Sequence, residues 1–576
     1  MKQFAWIFVC LIVFIFSKCR NHEGLPPAEP GNGGLSVPDS FDVVVVAEST
    51  GRARHIAVNA NGDVYVKLRS PAPKGIVALR DEDNDGKADV TEVFGDYTDE
   101  GDYGTGMRIN NGYLYFTTAG EVYRMKLTDG DLVPKSKVEL IMKDDYKNDP
   151  HGYEHIAKPI AFDNAGHLYV QFGAPGDVCQ ELDRIPGAPG QQPCPELEDH
   201  GGVWQFDANK LNQTMKKDGK RYATGIRSIV AMAWNNSDNT LYALQHGRDD
   251  LHRTWPALFT PWQSAVLPSE EFLKIKEGSD AGWPYYYYDQ MQKKKFLNPE
   301  YGGDGKKTGE GDKVNQPLIG FPGHWAPNDL FFYTGNQFPE YYKNGAFIAF
   351  HGSTIRAPYP QAGYFIAFVP FKNGAPTGEW EVFADGFAGV DTIINTSDAK
   401  YRPMAIAMGP DGSLYIGESE KGKIWRIMYR GDRNNFKEAQ LAKMEEHKKL
   451  PHIKTPDEIA DNLNKGNNGT GSQVYFSFCS SCHQVNGKGD GNRFPPLTQS
   501  DWVNGDKTKL IEVVINGLEG SITIQGKAYN NSMPAHKFLS DGEVAQVLTY
   551  IRSAFNNNTD SITAGEVMKV RNKNSK

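Results

Sequence analysis

The chain has 576 residues, too many for one ordinary domain, and its 39% hydrophobic and 23% charged residues are a normal balance for a globular protein. Its formal net charge is −9, so there is no overall positive field for binding nucleic acid. The 60 glycines, 34 prolines and 12% aromatic residues predict many turns and strands.

Residues 1–19 predict an export signal. Lys2 precedes an apolar run that is too short to span a bilayer and suits the core of a signal peptide. Cys19 follows this run and is a candidate for lipidation, as in bacterial lipoproteins, although Lys18 is an unusual residue before such a cysteine. The alternative is cleavage a little later, which leaves a soluble periplasmic protein. Either way we expect a chain exported to the periplasm, with 20–39 as a flexible linker.

Between residues 40 and 430 the sequence repeats one pattern six times: an apolar strand, an Asn/Asp/Gly turn and an aromatic strand. Each copy predicts a hairpin at the heart of a four-stranded sheet. Because such sheets must pack against their neighbours, radial repetition predicts an all-β, six-bladed β-propeller, with a pair of β-sandwiches as the alternative. Long insertions at 171–200 and 250–325 are expected to build a site on one face. The copies span 55–66, 107–116, 159–170, 230–243, a degenerate 329–350, and 404–416.

An acidic loop in the first predicted blade fits the calcium-loop pattern D-x-D-x-D-G-x5-E in full. Alternating carboxylates can converge on one hard cation, and the glycine permits the sharp turn. The flanking residues look like strands, so we expect a structural calcium loop within a blade and not an EF-hand helix pair. An acidic hairpin without an ion is the alternative. The predicted ligands are Asp81, Asp83, Asp85, Asp89 and Glu92.

Cys179 and Cys194 predict a disulfide. Two of the six cysteines lie within residues 1–19, and two belong to a motif near the C-terminus. The remaining two share one Pro/Gly-rich loop, and in an oxidising compartment we expect them to pair.

A charged segment over 431–465, poor in strand formers, predicts a solvated helix and a linker to a second domain over 466–556. The closing helix of that domain begins at a capping box, Ser540–Glu543, and apolar residues then recur at helical spacing. We therefore expect a small all-α domain, followed by a tail over 557–576. The recurring residues are Val544, Val547, Leu548 and Ile551.

The motif Cys479-Ser480-Ser481-Cys482-His483 predicts covalent attachment of haem c. Each cysteine can bond one vinyl group of a haem, and the histidine then supplies an axial iron ligand. The alternatives are a surface Cys-x-x-Cys followed by a histidine by chance, and half of a zinc site. Zinc would need a second Cys/His pair, and 466–576 contains no further cysteine. Met533 is the expected second iron ligand, since a His/Met pair raises the haem potential. Met568 lies beyond the last predicted helix and is a poorer candidate.

Over 466–556 the small domain resembles class I cytochrome c. Segments of the larger half occur in the order His155–Tyr169, Pro193–Glu198, Gly202–Asp207, Gly225–Arg227, Gln245–Arg248, Gly282–Pro284, His351–Arg356 and Arg402–Met404. In these segments it resembles the sugar dehydrogenases that use pyrroloquinoline quinone (PQQ), nearest the sorbosone or pyranose dehydrogenase branch. The resemblance covers most of 40–430. It implies PQQ as the cofactor.

The same resemblance implies roles for individual residues. His155 would take the proton from a sugar hydroxyl as hydride passes to the quinone, a task that suits imidazole because its pKa is near the operating pH. His151 is the fallback for this role. Arg227 would lie by the quinone carbonyl and stabilise negative charge there.

Other residues would hold the quinone. Arg356 and Arg402 would pair with its carboxylates, where a guanidinium matches an anion in bidentate fashion. Arg54 is a weaker candidate for the same work. The backbone carbonyls of Gly247 and Arg248 would hold a calcium ion that polarises the quinone. An arginine at 248, where soluble glucose dehydrogenases have proline, leaves the substrate open.

The expected function is oxidation of an aldose or similar aldehyde sugar, with hydride passing to PQQ and single electrons leaving through the haem to a downstream cytochrome or respiratory chain. Fusing donor and acceptor raises their effective concentration at each other's surface. A lipid anchor would bring the chain to a membrane, and no nucleic-acid partner is expected. The rival hypothesis is a silent propeller that binds a partner and carries a tethered electron-transfer cytochrome. A third is an oxidoreductase with another quinone or substrate.

Overall fold

The fold is a ring of six β-sheets followed by a small helical domain. The computed structural model describes residues 24–69, 75–95, 105–144, 154–457, 471–491 and 493–573. The export signal, Cys19 and His151 lie outside these residues. Among the described residues, no helix is both long and apolar enough to cross a membrane.

Each sheet is one propeller blade. Its strands follow one another outward from the central axis in chain order, except that the outermost strand of blade 6 is the N-terminal one. Blades 1 to 3 comprise Ala53–Val58, Val64–Leu68, Ile76–Arg80 and Val90–Phe94; Met107–Asn110, Tyr113–Thr117, Glu121–Lys126 and Glu139–Lys143; and Ile160–Phe162, His167–Phe172, Gly202–Asp207 and Lys220–Thr224. Short parallel strands, Gln213–Thr214 and Ser279–Asp280, extend blades 2 and 3. Blades 4 to 6 comprise Ile229–Asn235, Thr240–Gln245, Glu270–Ile275 and Ile319–Phe321; Pro327–Phe332, Ala346–Phe350, Phe365–Val369 and Glu381–Ala384; and Pro403–Met408, Leu414–Glu418, Ile424–Tyr429 and Phe41–Ala47.

The predicted six-bladed propeller is confirmed, and the β-sandwich alternative is wrong. Each of the six repeat copies forms the two inner strands of one blade. The inner strands of neighbouring blades contact each other around the whole ring. Six apolar clusters fill the spaces between adjacent blades. The turn residue Gly62 has a φ of 96°, a conformation that glycine adopts without strain.

The N-terminal strand closes the ring. Phe41–Ala47 pairs antiparallel with Ile424–Tyr429, so the two ends of the propeller share blade 6. The ring of Phe41 packs edge-on against Phe338, Tyr342 and Phe383. This closure ties together strands almost four hundred residues apart and hides what would otherwise be two open sheet edges.

Short elements decorate the propeller. Two hairpins are Tyr286–Asp289 with Lys294–Leu297, and Phe371–Lys372 with Ala375–Pro376. A disulfide joins Cys179 and Cys194, whose Cα atoms are 6.1 Å apart. The short helices are Pro30–Gly34, Pro195–Glu198, Met215–Asp218, Leu251–Thr254, Pro261–Val266, Pro299–Tyr301, Glu340–Tyr342 and Thr396–Asp398.

Two segments predicted to be linkers are packed against the propeller. From residue 24, the expected flexible linker lies on the surface of the ring, and Leu35 and Val37 are buried in the cluster between blades 5 and 6. The solvated helix expected after residue 431 is also docked, because Met444 and Ile453 are buried between blades 4 and 5. Its helices are Arg433–Asn435, Glu438–Gln440, Ala442–Glu445 and Glu446–Lys449.

The second domain is a small helical fold, as predicted. Ser540 caps the helix Asp541–Ser553, accepting a hydrogen bond from the amide of Glu543 at 3.3 Å. The predicted tail is wrong, because it forms the helix Ala564–Lys573, whose buried Val567 belongs to the domain core. The other elements are Gly471–Phe478, Ser480–His483, Asp501–Asn504, Lys507–Asn516, and the hairpin Ile522–Ile524 with Lys527–Tyr529.

Asp385 holds the docked segment in place. Its two carboxylate oxygens lie 2.6 Å from Nδ1 of His447 and 3.0 Å from Nε2 of His452. Burial alone would raise the pKa of Asp385, but the two histidines outweigh burial and hold that pKa far below its usual value. The carboxylate therefore stays charged, and its contribution to docking persists as pH falls until well below pH 4.

We predict that Asp385→Ala releases the segment 433–457 from the propeller. Leaving the buried His452 without its partner costs about 1–3 kcal/mol. Limited proteolysis should then cut this segment much faster than in the wild type. Asp457→Ala is the matched control, since that carboxylate is 92% exposed and pairs with Lys454. Equal cleavage of the wild type and Asp385→Ala would show that the bridge does not hold the segment.

Candidate active site and haem-attachment site

A cavity of about 820 Å³ opens where the propeller meets the helical domain. Its propeller side, here called the floor, is formed largely by residues at the beginnings of the inner strands of blades 1, 3, 4, 5 and 6. Its other side, here called the roof, comes from the helical domain. The roof residues are Asp490, Gly491, Arg493, Lys527 and Asn531.

His155 lies on the floor, half-buried. Its Nδ1 atom is 2.7 Å from the carbonyl oxygen of Ala174. A carbonyl only accepts, so Nδ1 carries the hydrogen and Nε2 keeps a lone pair. Burial, assisted by the nearby charge of Arg227, lowers the pKa of His155 to about 4. The imidazole is therefore neutral at pH 7 and able to accept a proton.

Arg227 lies beside His155 on the floor and is fixed by three contacts. One Nη atom is 2.6 Å from Oδ1 of Asp177 and 3.4 Å from Oδ2 of Asp249. The other donates to the carbonyl oxygen of Gly247 at 2.9 Å. Burial disfavours the charged guanidinium, but Asp177 and Asp249 outweigh burial and raise its pKa. The charge at this position is thus permanent and oriented.

Of the three arginines predicted to bind quinone carboxylates, two line the cavity. Arg54 donates to Oγ1 of Thr105 at 2.9 Å, and Arg402 donates to the carbonyl oxygen of Gly352 at 2.6 Å. Arg356 is not a lining residue. It is fully buried, its Nε atom donates to the carbonyl oxygen of Ala265 at 3.1 Å, and burial lowers its pKa to about 10.

Arg69 takes the place on the floor that was predicted for Arg356. It lines the cavity, and its Nη2 atom lies 3.4 Å from Oε1 of Glu420. The sequence pattern missed it because it falls between two repeat copies, in a stretch with no recognisable motif. The floor carries five guanidiniums, on Arg52, Arg54, Arg69, Arg227 and Arg402. Three of them, on Arg54, Arg69 and Arg402, fit a ligand with several carboxylates.

The calcium site predicted at the backbone carbonyls of Gly247 and Arg248 stays a prediction. The carbonyl of Gly247 accepts a hydrogen bond from Arg227. The side chain of Arg248 is buried outside the cavity lining and pairs with Glu300 at 2.6 Å. Two carboxylates, on Asp249 and Glu270, line the cavity near Gly247. Glu270 accepts the amide of Gly247 at 3.1 Å, and burial raises the pKa of Glu270 to about 7.

Further polar residues of the cavity were not assigned from sequence. His246 and His351 lie within the segments that carry the family resemblance, and His324 follows the last strand of blade 4. The insertion at 250–325 supplies Glu270 and His324. No lining residue comes from 171–200, all of which the structure describes, but its Asp177 orients Arg227.

The haem motif forms the short helix Ser480–His483 of the helical domain, with Cys479 as the residue that precedes it. Cys479 and Cys482 are not disulfide-bonded, and burial raises the pKa of these thiols to about 12 and 11. Nδ1 of His483 is 2.9 Å from the carbonyl oxygen of Pro495, which orients the ring and leaves Nε2 for a metal. Met533 is held by two backbone hydrogen bonds of 2.8 Å to Leu518 and packs against the domain core. These residues fit a haem with histidine and methionine ligands.

The haem-attachment helices pack against the propeller. The helix Gly471–Phe478 contacts Leu251–Thr254, and the Phe478 ring stacks on His252 with 6.0 Å between ring centres. Because Cys479 directly follows Phe478, the attachment site lies at the boundary between the two domains.

The acidic loop of blade 1 brings together three of its five predicted ligands. Carboxylate oxygens of Asp81, Asp83 and Asp89 lie within 4.8 Å of one another. Asp85 instead accepts backbone hydrogen bonds within the loop, and Glu92 belongs to the outer strand of the blade. Calcium binding at this loop stays a prediction.

The fold and the two sites define a class of protein: a six-bladed propeller with an arginine-lined cavity, joined to a cytochrome c. The TrAA12-like family model matches residues 35–430, and the chain belongs to this family. A cytochrome c model matches residues 469–555. Both resemblances predicted from the sequence are thereby confirmed.

Solved structures share the propeller fold. A family AA12 carbohydrate-active enzyme from Trichoderma reesei is 18% identical, with a TM-score of 0.56 over 69% of this chain and 98% of the other. The PQQ domain of pyranose dehydrogenase from Coprinopsis cinerea, in its holo form, is 16% identical, with a TM-score of 0.53 over 70% of this chain and 98% of the other.

Relatives also match by sequence. Cytochrome c-552 of Thermus thermophilus is 36% identical over 112 residues, which are 18% of this chain and 85% of that protein. An uncharacterized protein of Borreliella burgdorferi is 28% identical over 222 residues, which are 38% of this chain. The chain spans about half, 51%, of that relative's length.

We predict that Met533→Ala lowers the reduction potential of the haem and changes its absorption spectrum, because loss of the thioether removes the ligand that raises the potential. Met568→Ala should change neither, since Met568 lies on the helix Ala564–Lys573 and is 49% exposed. A potentiometric titration followed by absorbance measures both. An unchanged potential in Met533→Ala would assign the sixth position to another residue.

Proposed function

We propose that the chain is a PQQ-dependent dehydrogenase that oxidises an aldose or related aldehyde sugar and passes the electrons to its own haem c. The proposal rests on the convergence of His155, Arg227 and four further arginines on the floor of one cavity, whose roof belongs to the haem domain. Membership of the TrAA12-like family and the printed titles of its structural neighbours support it.

The floor residues fit the quinone. Arg54, Arg69 and Arg402 would hold its carboxylates, since guanidiniums match carboxylates in bidentate fashion. Arg227 would lie by a carbonyl and stabilise negative charge there, and its ion pair with Asp177 spares it reorientation during the reaction. PQQ, when bound, accepts hydride from a substrate carbon.

His155 would act on the sugar as a general base. Nδ1–H is held by Ala174, so the proton from the sugar hydroxyl would go to Nε2. Burial, and after it the positive charge of Arg227, lowers the pKa of His155 and keeps the imidazole neutral before the reaction. Proton and hydride would thus leave the same CH–OH group toward two different acceptors.

The helical domain would carry the electrons away. Cys479, Cys482, His483 and Met533 would hold haem c, which accepts single electrons when attached. A downstream cytochrome or respiratory chain would take them up. Since both cofactors belong outside the cytoplasm, we infer an extracytoplasmic location. Lipidation of Cys19 would anchor the chain to a membrane there.

We predict that an aldose or sorbosone reduces the haem anaerobically in protein loaded with haem, PQQ and calcium. His155→Ala should abolish this reduction, because it removes the base that takes the hydroxyl proton. His167→Ala is the control, since that imidazole lies in blade 3 and pairs with Asp163 at 2.7 Å. If no sugar reduces the haem while dithionite does, the propeller is a silent binding module.

The rate of sugar oxidation should be level near neutral pH and fall as pH drops through about 4, where His155 becomes protonated. The sign follows from the lowered pKa, since the neutral base is the working form. In Arg227→Met the falling limb should move to higher pH, because a nearby positive charge is lost. A wild-type limb at the ordinary imidazole value of about 6.5 would contradict this environment for His155.

A further inference from the structure

The helical domain contributes directly to the cavity that holds His155. Asp490, Arg493 and Lys527 face the floor from the roof, together with Gly491 and Asn531. A cytochrome that served only to carry electrons would not need side chains in this space. Whatever lies between the floor and the roof must contact both domains.

Buried polar contacts hold the roof in position. Nε2 of Gln484 donates to the carbonyl oxygen of Thr354 at 3.1 Å, and Nε2 of Gln361 donates to Oε1 of Gln484 at 3.3 Å. Both glutamines are fully buried. Arg493 also reaches across the boundary, donating to Oγ1 of Thr354 at 2.7 Å. The roof is therefore a fixed wall, because breaking these contacts would leave buried amides without partners.

The cavity is strongly cationic although the chain as a whole is acidic. Nine lining side chains are cationic and five are carboxylates, an excess of four. Glu270 is one of the five, and burial raises its pKa to about 7, which weakens its negative charge at neutral pH. The cations are Arg52, Arg54, Arg69, Arg227, Lys400, Arg402, Lys421, Arg493 and Lys527.

The positive charges divide between the two sides of the cavity. On the floor, Arg54, Arg69 and Arg402 suit the carboxylates of a flat cofactor. On the roof, Asp490 pairs with Arg493 at 3.2 Å and partly offsets the charge of that guanidinium. Lys527 instead donates a hydrogen bond to the backbone carbonyl oxygen of Gly491, which carries no charge. A sugar lying on the cofactor would have Lys527 and Arg493 above it.

We propose that the docked cytochrome forms one wall of the substrate cavity and that Lys527 and Arg493 make the enzyme prefer a sugar carrying a carboxylate, such as a uronic acid. This inference rests on the proposed function, since it names the substrate class of the same site. Lys527 is a specificity-determining residue in this account, and Arg493 both contacts the substrate and holds the roof to Thr354.

The test is a calorimetric titration of the full, haem-loaded chain supplied with PQQ and calcium. Methyl glucuronide and methyl glucoside are compared, because their blocked anomeric oxygen prevents turnover and binding alone is measured. We expect the glucuronide to bind about tenfold more tightly, equivalent to ~1.4 kcal/mol. In Lys527→Gln this preference should disappear while the neutral glycoside binds as before.

Lys509→Gln is the matched control. Lys509 belongs to the same domain but lies over the ring of Trp502 and does not line the cavity. Arg493→Gln should lose the preference and also loosen the roof, so Lys527→Gln is the decisive variant, since it leaves the Gln484 contacts intact. Steady-state kinetics with a small dye acceptor, which bypasses the haem, should show a raised KM for glucuronate and an unchanged KM for glucose in Lys527→Gln.

Equal binding of the two glycosides by the wild type, or a preference retained in Lys527→Gln, would overturn the inference. Haem reduction by neutral sugars without any preference would leave the proposed function standing and remove only the inference. A clear preference in binding, with no sugar able to reduce the haem, would support the inferred binding of a carboxylate and overturn the proposed function.

Discussion

The buried contact of Gln484 with Thr354 and Gln361 sets how the helical domain docks on the propeller. Gln484 directly follows the haem ligand His483, so this contact fixes the attachment motif relative to the floor. Each buried amide that lost its partner would cost about 1–3 kcal/mol. The contact therefore specifies one docking geometry. In that geometry the cavity is completed and the haem site lies at the domain boundary.

On the floor, Asp177 organises the charges. Its carboxylate is fully buried and lies 2.6 Å from Arg227, 3.5 Å from Arg248 and 3.7 Å from Arg184. Buried ion pairs of this kind add little net stability, because desolvation offsets the attraction between the charges. Their effect here is orientation. Arg227 is held toward the cavity. Its charge adds to the effect of burial, which lowers the pKa of the neighbouring His155 and leaves the imidazole neutral and ready to accept a proton.

Local patterns predicted most of the fold. Each hairpin is encoded by alternation and turn residues that are close together in the chain, and the haem motif by five consecutive residues, so both were found. Closure by Phe41–Ala47 was not, because its partner strand lies almost four hundred residues away. The docking of 433–457 was missed for a related reason: its charged composition indicates solvent, whereas two spaced apolar residues, Met444 and Ile453, decide its position.

The site was predicted in part. Four predicted residues line the cavity because each stands at or just before an inner strand, where side chains lie at one face of the propeller. They are His155, Arg227, Arg54 and Arg402. Arg356 is the last residue of the motif His351–Arg356, yet its side chain is buried away from the cavity. Sequence order fixes where a residue lies along the chain and leaves open which way its side chain points.

We propose that one chain both oxidises the sugar and receives its electrons. The way the rate of haem reduction depends on protein concentration distinguishes this from electron transfer between molecules. The loaded protein is mixed anaerobically with a substrate in excess, and haem absorbance is followed in a stopped-flow instrument over a range of protein concentrations. An observed rate constant that does not change with protein concentration is expected, because donor and acceptor sites belong to one docked unit. A rate constant that rises in proportion to protein concentration would mean that electrons pass between molecules and would contradict the account.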